Sequence, residues 1–160
     1  MLSDLRLVSG ITVASGIAML AAAFGFQYLG GLDPCVLCVY QRWPWAAAIL
    51  LGAAAFWLRG NPAVLMLAVL ALLAGAGIAG YHVGVEQHWW AGTAECGGQT
   101  GAAQTVEGLK RQLMATQVTR CDEVAWSMFG ISMAGYNMIL SAGLAVLLIV
   151  SLVRSRRRLA

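Results

Sequence analysis

The sequence predicts an all-α membrane protein: a four-helix transmembrane bundle with a long outer loop carrying a short surface helix. Three observations predict it. The chain of 160 residues is 60% hydrophobic and 11% charged, with a mean hydropathy of +0.75, whereas a soluble domain carries about a quarter charged residues. Four apolar stretches are long enough, or nearly so, to cross a bilayer. The basic residues gather at the breaks and ends of those stretches rather than along them. One bundle uses up this length, so residues 1–160 read as a single membrane domain.

The first span is expected at about 7–28, because no charge occurs from Leu7 to Leu32 and a bilayer needs about 20 apolar residues. A cleaved leader over residues 1 to about 24, with Ala21 to Ala23 near the cut, is the competing reading. The run is longer than a leader core of about 7–15 residues. The second span, at about 38–58, has only Trp43 to Leu58 as its apolar part. It becomes long enough if the helix begins near Cys35 or Cys38 and carries Arg42 at the interface. Asp33 as N-cap and Pro34 at the first helical position mark that start. Arg59-Gly60-Asn61-Pro62 then forms a turn. A third span is expected at about 63–82 and a fourth at about 132–153.

The loops fall at about 29–37 and 83–131. In the longer one, Val106, Leu109 and Leu113 recur at helical spacing, and Glu107 and Arg111 form an i,i+4 pair on another face. This predicts the surface helix within Gln104 to Val118; a marginal helix in a loop is the alternative.

Arg6, Arg59, Arg154, Arg156, Arg157 and Arg158 all flank spans on one side. The positive-inside rule assigns that side, with both termini, to the cytoplasm. All four cysteines then face outward. The net charge of +3 reports orientation, not a nucleic-acid partner.

Cys35-x-x-Cys38 is the most specific chemical signal. Such pairs often hold one thiol with a depressed pKa, and the thiolate is the form that attacks disulfides. On one helix, Cys35, Cys38 and Arg42 fall within a sector of about 60°, near a helix start whose partial positive charge favours an anion. Arg42 is either a partner for a Cys38 thiolate or an interfacial anchor helped by Trp43 and Trp45. Zinc competes for the cysteines, but the chain has no second close cysteine pair and no spaced histidine pair, so no metal is expected. Cys96 and Cys121 could form a static loop disulfide worth about 3 kcal/mol or take part in exchange. Four cysteines allow three pairings, and spacing does not choose among them. Tyr81, His82, Glu86, His88, Trp89 and Trp90 close the third span as an aromatic belt with ionisable members.

Two blocks, P-C-V-L-C-V-Y-Q-R at Pro34 to Arg42 and C-D-E-V-A-W-S-M-F-G-I-S-M-A-G-Y-N from Cys121, resemble the bacterial disulfide bond formation protein B (DsbB) family. The similarity covers essentially the whole chain. It implies a bacterial inner-membrane oxidoreductase with periplasmic cysteines. A reduced DsbA-like thioredoxin-fold oxidase would attack Cys96 of a Cys96–Cys121 disulfide, and the freed Cys121 would then exchange with Cys35 or help release the oxidised partner. Cys38, a thiolate beside Arg42, would pass electrons to ubiquinone or menaquinone from the membrane quinone pool. The resemblance also implies a quinone-contacting histidine near the end of the third span, His88 ahead of His82. A DsbA-type oxidant lies near −120 mV, so reoxidising it requires an acceptor of higher potential such as a lipid quinone.

Two rival functions are a membrane thiol electron transporter and a vitamin K epoxide reductase-like enzyme. The first requires cysteines reaching both faces, usually from repeated halves. In the second, the loop cysteines precede the C-x-x-C, the reverse of this order. A scaffold with structural disulfides is a third.

Overall fold

The computed structural model describes residues 4–97 and 119–159. The surface helix expected within Gln104 to Val118 lies outside the described residues. Among the described residues there are five α-helices: α1 (Leu5–Tyr28), α2 (Val36–Tyr40), α3 (Arg42–Trp57), α4 (Pro62–Glu86) and α5 (Met133–Leu159). The described residues also hold a 3₁₀ turn at Ala94–Gly97 and a two-stranded hairpin, β1 (Ser127–Met128) and β2 (Ile131–Ser132). Among the described residues, three helices, α1, α4 and α5, are long and apolar enough to cross a membrane. At 16 residues, α3 is about 24 Å long, less than the roughly 30 Å hydrocarbon core.

The helix starts follow from the sequence. Asp4 caps α1, its Oδ1 accepting from the backbone N–H groups of Arg6 (3.0 Å) and Leu7 (3.4 Å). Asn61 caps α4 in the same way, with Pro62 in the first turn. Between α3 and α4 the chain reverses through Arg59 (φ 58°) and Gly60 (φ 81°). A Cβ at Gly60 would stand 2.6 Å from that of Leu5, so this turn sits against the start of α1. Arg6 there lies over the Phe56 ring.

The start of α2 differs from expectation. Its N-cap is Cys35, not Asp33, and the Cys35 sulfur accepts from the Cys38 N–H at 3.2 Å. A thiol two residues further on thus takes the capping role assigned to the carboxylate. Gln41 then separates α2 from α3, whose first residue is Arg42, so the expected single helix is interrupted just before the arginine.

In the packing, α1 lies on α3, α3 on α4, and α4 on α5. The shared core joins Val8, Trp45, Ala48, Leu65, Val69, Leu72, Leu144 and Leu148. Large apolar side chains also point outward, including Ile17, Leu50, Trp57, Leu67 and Val146, the pattern of helices solvated by lipid. Small residues make the crossings close: a Cβ on Gly52 would lie 3.2–3.3 Å from Val13, Thr12 and the Ser9 carbonyl. Gly52→Leu is therefore expected to destabilise the α1–α3 packing by about 1–3 kcal/mol. Thermal unfolding in detergent measures it, with Leu50→Ala on the outward face changing stability by less than about 0.5 kcal/mol.

The hairpin was not foreseen. Its turn places Phe129 (φ 51°) and Gly130 (φ 78°) in the left-handed region, as a two-residue hairpin of right-handed twist needs. Strands of two residues carry no alternation for a sequence to display.

Candidate functional site

The four cysteines converge at one end of the bundle, opposite the Leu5–Gly60 contact. Cys35, Leu37, Val85, Cys96 and Cys121 form one buried cluster, with Cys38 packed against it. Cys96 and Cys121 are joined in a disulfide, their Cα atoms 5.1 Å apart. Cys35 and Cys38 are free thiols, the first buried and the second half-buried.

Local structure holds the outer pair in place. Beyond α4, Trp90 folds back so that its indole N–H donates to the Tyr81 carbonyl (3.0 Å) and its ring stacks on Tyr81. The Tyr81 hydroxyl donates to the Ala91 carbonyl. Tyr40 on α2 donates to Glu95 (3.0 Å), tying the dithiol helix to the 3₁₀ turn that carries Cys96. Cys121 is fully enclosed. Cys96, by contrast, lines a surface pocket of about 300 Å³ with Val85, His88, Thr93 and Asp122, and the Thr93 hydroxyl lies 3.4 Å from its sulfur. Beside this pocket Arg120 grips Asp122 through two hydrogen bonds of 2.9 and 2.6 Å. That grip pulls the Asp122 carboxyl down to about 2, so it stays ionised across the pH range in which thiols exchange. Cys35 is pushed well above the usual thiol range, first by its hydrogen bonding with Cys38 and then by burial.

A second cavity, of about 290 Å³ and almost wholly apolar in lining, opens on the other side of the dithiol. Its wall includes Met19, Leu20, Phe26, Trp126 and Leu140 together with Cys38, Gln41, Arg42 and His82. Phe26 and Trp126 are packed with ring centroids 5.0 Å apart. Arg42 donates to Gln27 at 2.7 Å and lies over the Phe24 ring, both on α1. Arg42 thus stands on the cavity wall with Cys38, while its direct partners belong to a different helix. Volume, apolar lining and a few polar groups at one end are the attributes of a small-molecule site.

The two histidines part company. His82, buried on α4, has Nε2 3.6 Å from the Cys35 sulfur and 3.9 Å from Glu86, while Nδ1 meets Gln41 at 2.7 Å. His88, with φ 58°, ends α4 in a left-handed turn and lines the Cys96 pocket instead. Among the described residues, Cys35, Cys38 and His82 also form a group whose ligand atoms all lie within 4.8 Å of one another. Linear spacing hid this set, because the histidine comes from another helix.

Sequence reasoning gave Trp45 only an anchoring role beside Arg42, whereas it is buried, and drew nothing from Gln41 and Asn137. Asn137 donates to Gln41 and accepts from the Trp45 indole (2.6 Å) and the Ser141 hydroxyl (3.2 Å). The signal was available, since an amide inside an apolar run is costly unless it is paired. Ser132 was missed as well; it donates to Glu86 and caps α5 through the Gly135 N–H.

A buried dithiol, a neighbouring disulfide and an apolar cavity on a bundle of lipid-facing helices define a membrane thiol–disulfide protein. The chain belongs to the DsbB family: the family model described as Disulfide bond formation protein DsbB matches residues 5–151. It is 35% identical to Disulfide bond formation protein B of Methylococcus capsulatus over 138 residues, covering 79% of this chain and 81% of that one. It is 30% identical to the protein of the same name in Xylella fastidiosa strain Temecula1 over 159 residues, covering 94% and 91%. No solved structure matches the chain.

Proposed function

We propose that this protein reoxidises a periplasmic DsbA-like thioredoxin-fold oxidase and delivers the electrons to a membrane quinone. It would do so as one four-span domain of the bacterial inner membrane. The observation that carries the reading is the position of Cys38, on the wall of an apolar cavity and packed against the buried cluster that holds the Cys96–Cys121 disulfide. In this reading α2 and α3 together make the fourth span, both termini are cytoplasmic, and the cysteines face the periplasm.

The relay balances in three exchanges. The partner's dithiol reduces Cys96–Cys121 to two thiols and leaves as a disulfide. These thiols reduce a Cys35–Cys38 disulfide and are themselves re-joined. The Cys35–Cys38 dithiol then loses two electrons and two protons as its disulfide re-forms. Quinone supplies the acceptor for that last step, taking up two electrons and two protons. A joined Cys96–Cys121 and a free Cys35 and Cys38 are the state between the second and third exchanges. The open pocket beside Cys96 and the enclosure of Cys121 support Cys96 as the sulfur that a protein partner attacks.

The cavity residues suit a quinone head. Phe26 and Trp126 offer aromatic faces, Arg42 a permanent cation, and His82 a ring nitrogen between dithiol and cavity wall. His82 is preferred to His88 here because His88 lines the other pocket. The test is the purified protein with a DsbA-like dithiol and a soluble ubiquinone or menaquinone analogue. One disulfide should form per quinone reduced; thiol oxidation without quinone consumption would reject the proposal. Arg42→Met should raise KM for the quinone by about 10–100-fold, the loss of a charge-assisted contact of roughly 1.5–3 kcal/mol, while exchange at Cys96–Cys121 keeps its rate.

A further inference from the structure

We infer that Trp45, Asn137 and Gln41 are positioning residues that fix His82 as its Nε2–H tautomer, aimed at the Cys35 sulfur. His82 then acts on the dithiol as a hydrogen-bond donor, not as a base or a metal ligand.

The direction of the chain follows from donor and acceptor chemistry. An indole N–H can only donate, so the group that Trp45 meets 2.6 Å away must be the Asn137 oxygen. The Ser141 hydroxyl donates to the same oxygen. The Asn137 nitrogen is therefore left to face Gln41, whose oxygen receives it. The Gln41 nitrogen in turn must donate to His82 Nδ1, 2.7 Å away. An Nδ1 that accepts belongs to a neutral imidazole with its proton on Nε2.

The far side of the ring is compatible with that tautomer. Nε2 faces the Cys35 sulfur at 3.6 Å and the Glu86 carboxylate at 3.9 Å, and the ring also meets the Cys121 backbone. Cys35 thus receives two N–H donors, from His82 and from the Cys38 backbone (3.2 Å). Both steady negative charge on this sulfur when it attacks or leaves during exchange. A proton on Nε2 also occupies the lone pair that a thiophilic cation held by Cys35 and Cys38 would need from His82. Reversing one amide would reverse every bond below it, so a donor about three side chains away sets the chemistry presented to sulfur. Gln41, Asn137 and Trp45 are all buried.

The inference rests on the proposed function for the role of the dithiol, but its test needs neither quinone nor partner, so the two can fail separately. The chain has two histidines, and His88→Gln leaves His82 as the sole imidazole. Nitrogen-15 NMR of that reduced protein in detergent should show a protonated Nε2 and an unprotonated Nδ1. Trp45→Phe removes the donor-only group and should lower the ratio of Nε2–H to Nδ1–H by about tenfold, equivalent to about 1.4 kcal/mol. Gln41→Glu, recorded up to pH 9 so that the new carboxylate is ionised, should place the proton on Nδ1. An Nδ1–H or doubly protonated ring in the parent would overturn the inference, as would an unchanged ratio in both variants.

Discussion

Cys38→Ser is expected to lower quinone-linked turnover by about 10³-fold or more while the Cys96–Cys121 disulfide still exchanges with a DsbA-like dithiol. The size of the effect follows from the chemistry of the lost group. A serine hydroxyl cannot form a disulfide, and at neutral pH it is a far weaker nucleophile than a thiolate. Removing a reacting nucleophile eliminates its step rather than slowing it in proportion to one contact. Position makes the result selective: Cys38 lies on the cavity wall, whereas Cys96 and Cys121 occupy the neighbouring cluster and loop. One round of partner oxidation should therefore survive, drawing on the pre-existing outer disulfide, and then stop. Stopped-flow thiol oxidation gives the burst, and quinone consumption gives the steady state. Continued turnover in Cys38→Ser would reject the dithiol as the quinone-facing end. Loss of the burst would instead show that Cys38 is needed at the outer pair.

The sequence made the apolar helices and the reactive cysteines visible, because both signals are local. Long uncharged runs mark α1, α4 and α5, and the Cys-x-x-Cys spacing marks α2. What it concealed was set by contacts between helices. The 60° sector kept Cys38 and Arg42 on one cavity wall, but it could not show that Arg42 bonds Gln27 and covers the Phe24 ring on α1. The sequence set His82 and Glu86 at i,i+4 with His88 beyond them, and the resemblance put His88 ahead of His82 for the quinone. One histidine is buried within α4 beside the dithiol, and the other turns the chain at its end, and periodicity cannot show where a helix stops to that precision. The cap at Cys35 was hidden for a related reason. Asp33 and Pro34 satisfy the usual helix-start pattern, yet a sulfur spaced three residues from the Cys38 N–H does the capping. The Trp45–Asn137–Gln41–His82 chain joins α3, α5 and α4 through the joint before α3, and no window of sequence contains it.

Cys121→Ala is expected to trap the partner on Cys96 as a covalent complex that accumulates to most of the protein present. In this variant Cys96 is left as a thiol. Offered the oxidised partner, its thiolate attacks the partner disulfide; one sulfur–sulfur bond forms to Cys96, the partner's own bond breaks, and its second thiol is released. In the parent protein, Cys121 would displace the partner by re-forming its bond with Cys96, the two Cα atoms lying 5.1 Å apart. Alanine cannot, so the adduct persists unless the partner's second thiol reverses it; a partner lacking that cysteine closes this escape. Geometry predicts which sulfur is found in the adduct. Cys96 and Cys35 are equally buried, but Cys96 borders a surface pocket with Thr93 and Asp122, while Cys35 packs against His82 and Leu37. Non-reducing electrophoresis followed by peptide mass spectrometry should therefore identify Cys96. An adduct through Cys35 would mean that the partner reaches past the loop to the inner pair, and the order of the relay would have to be inverted.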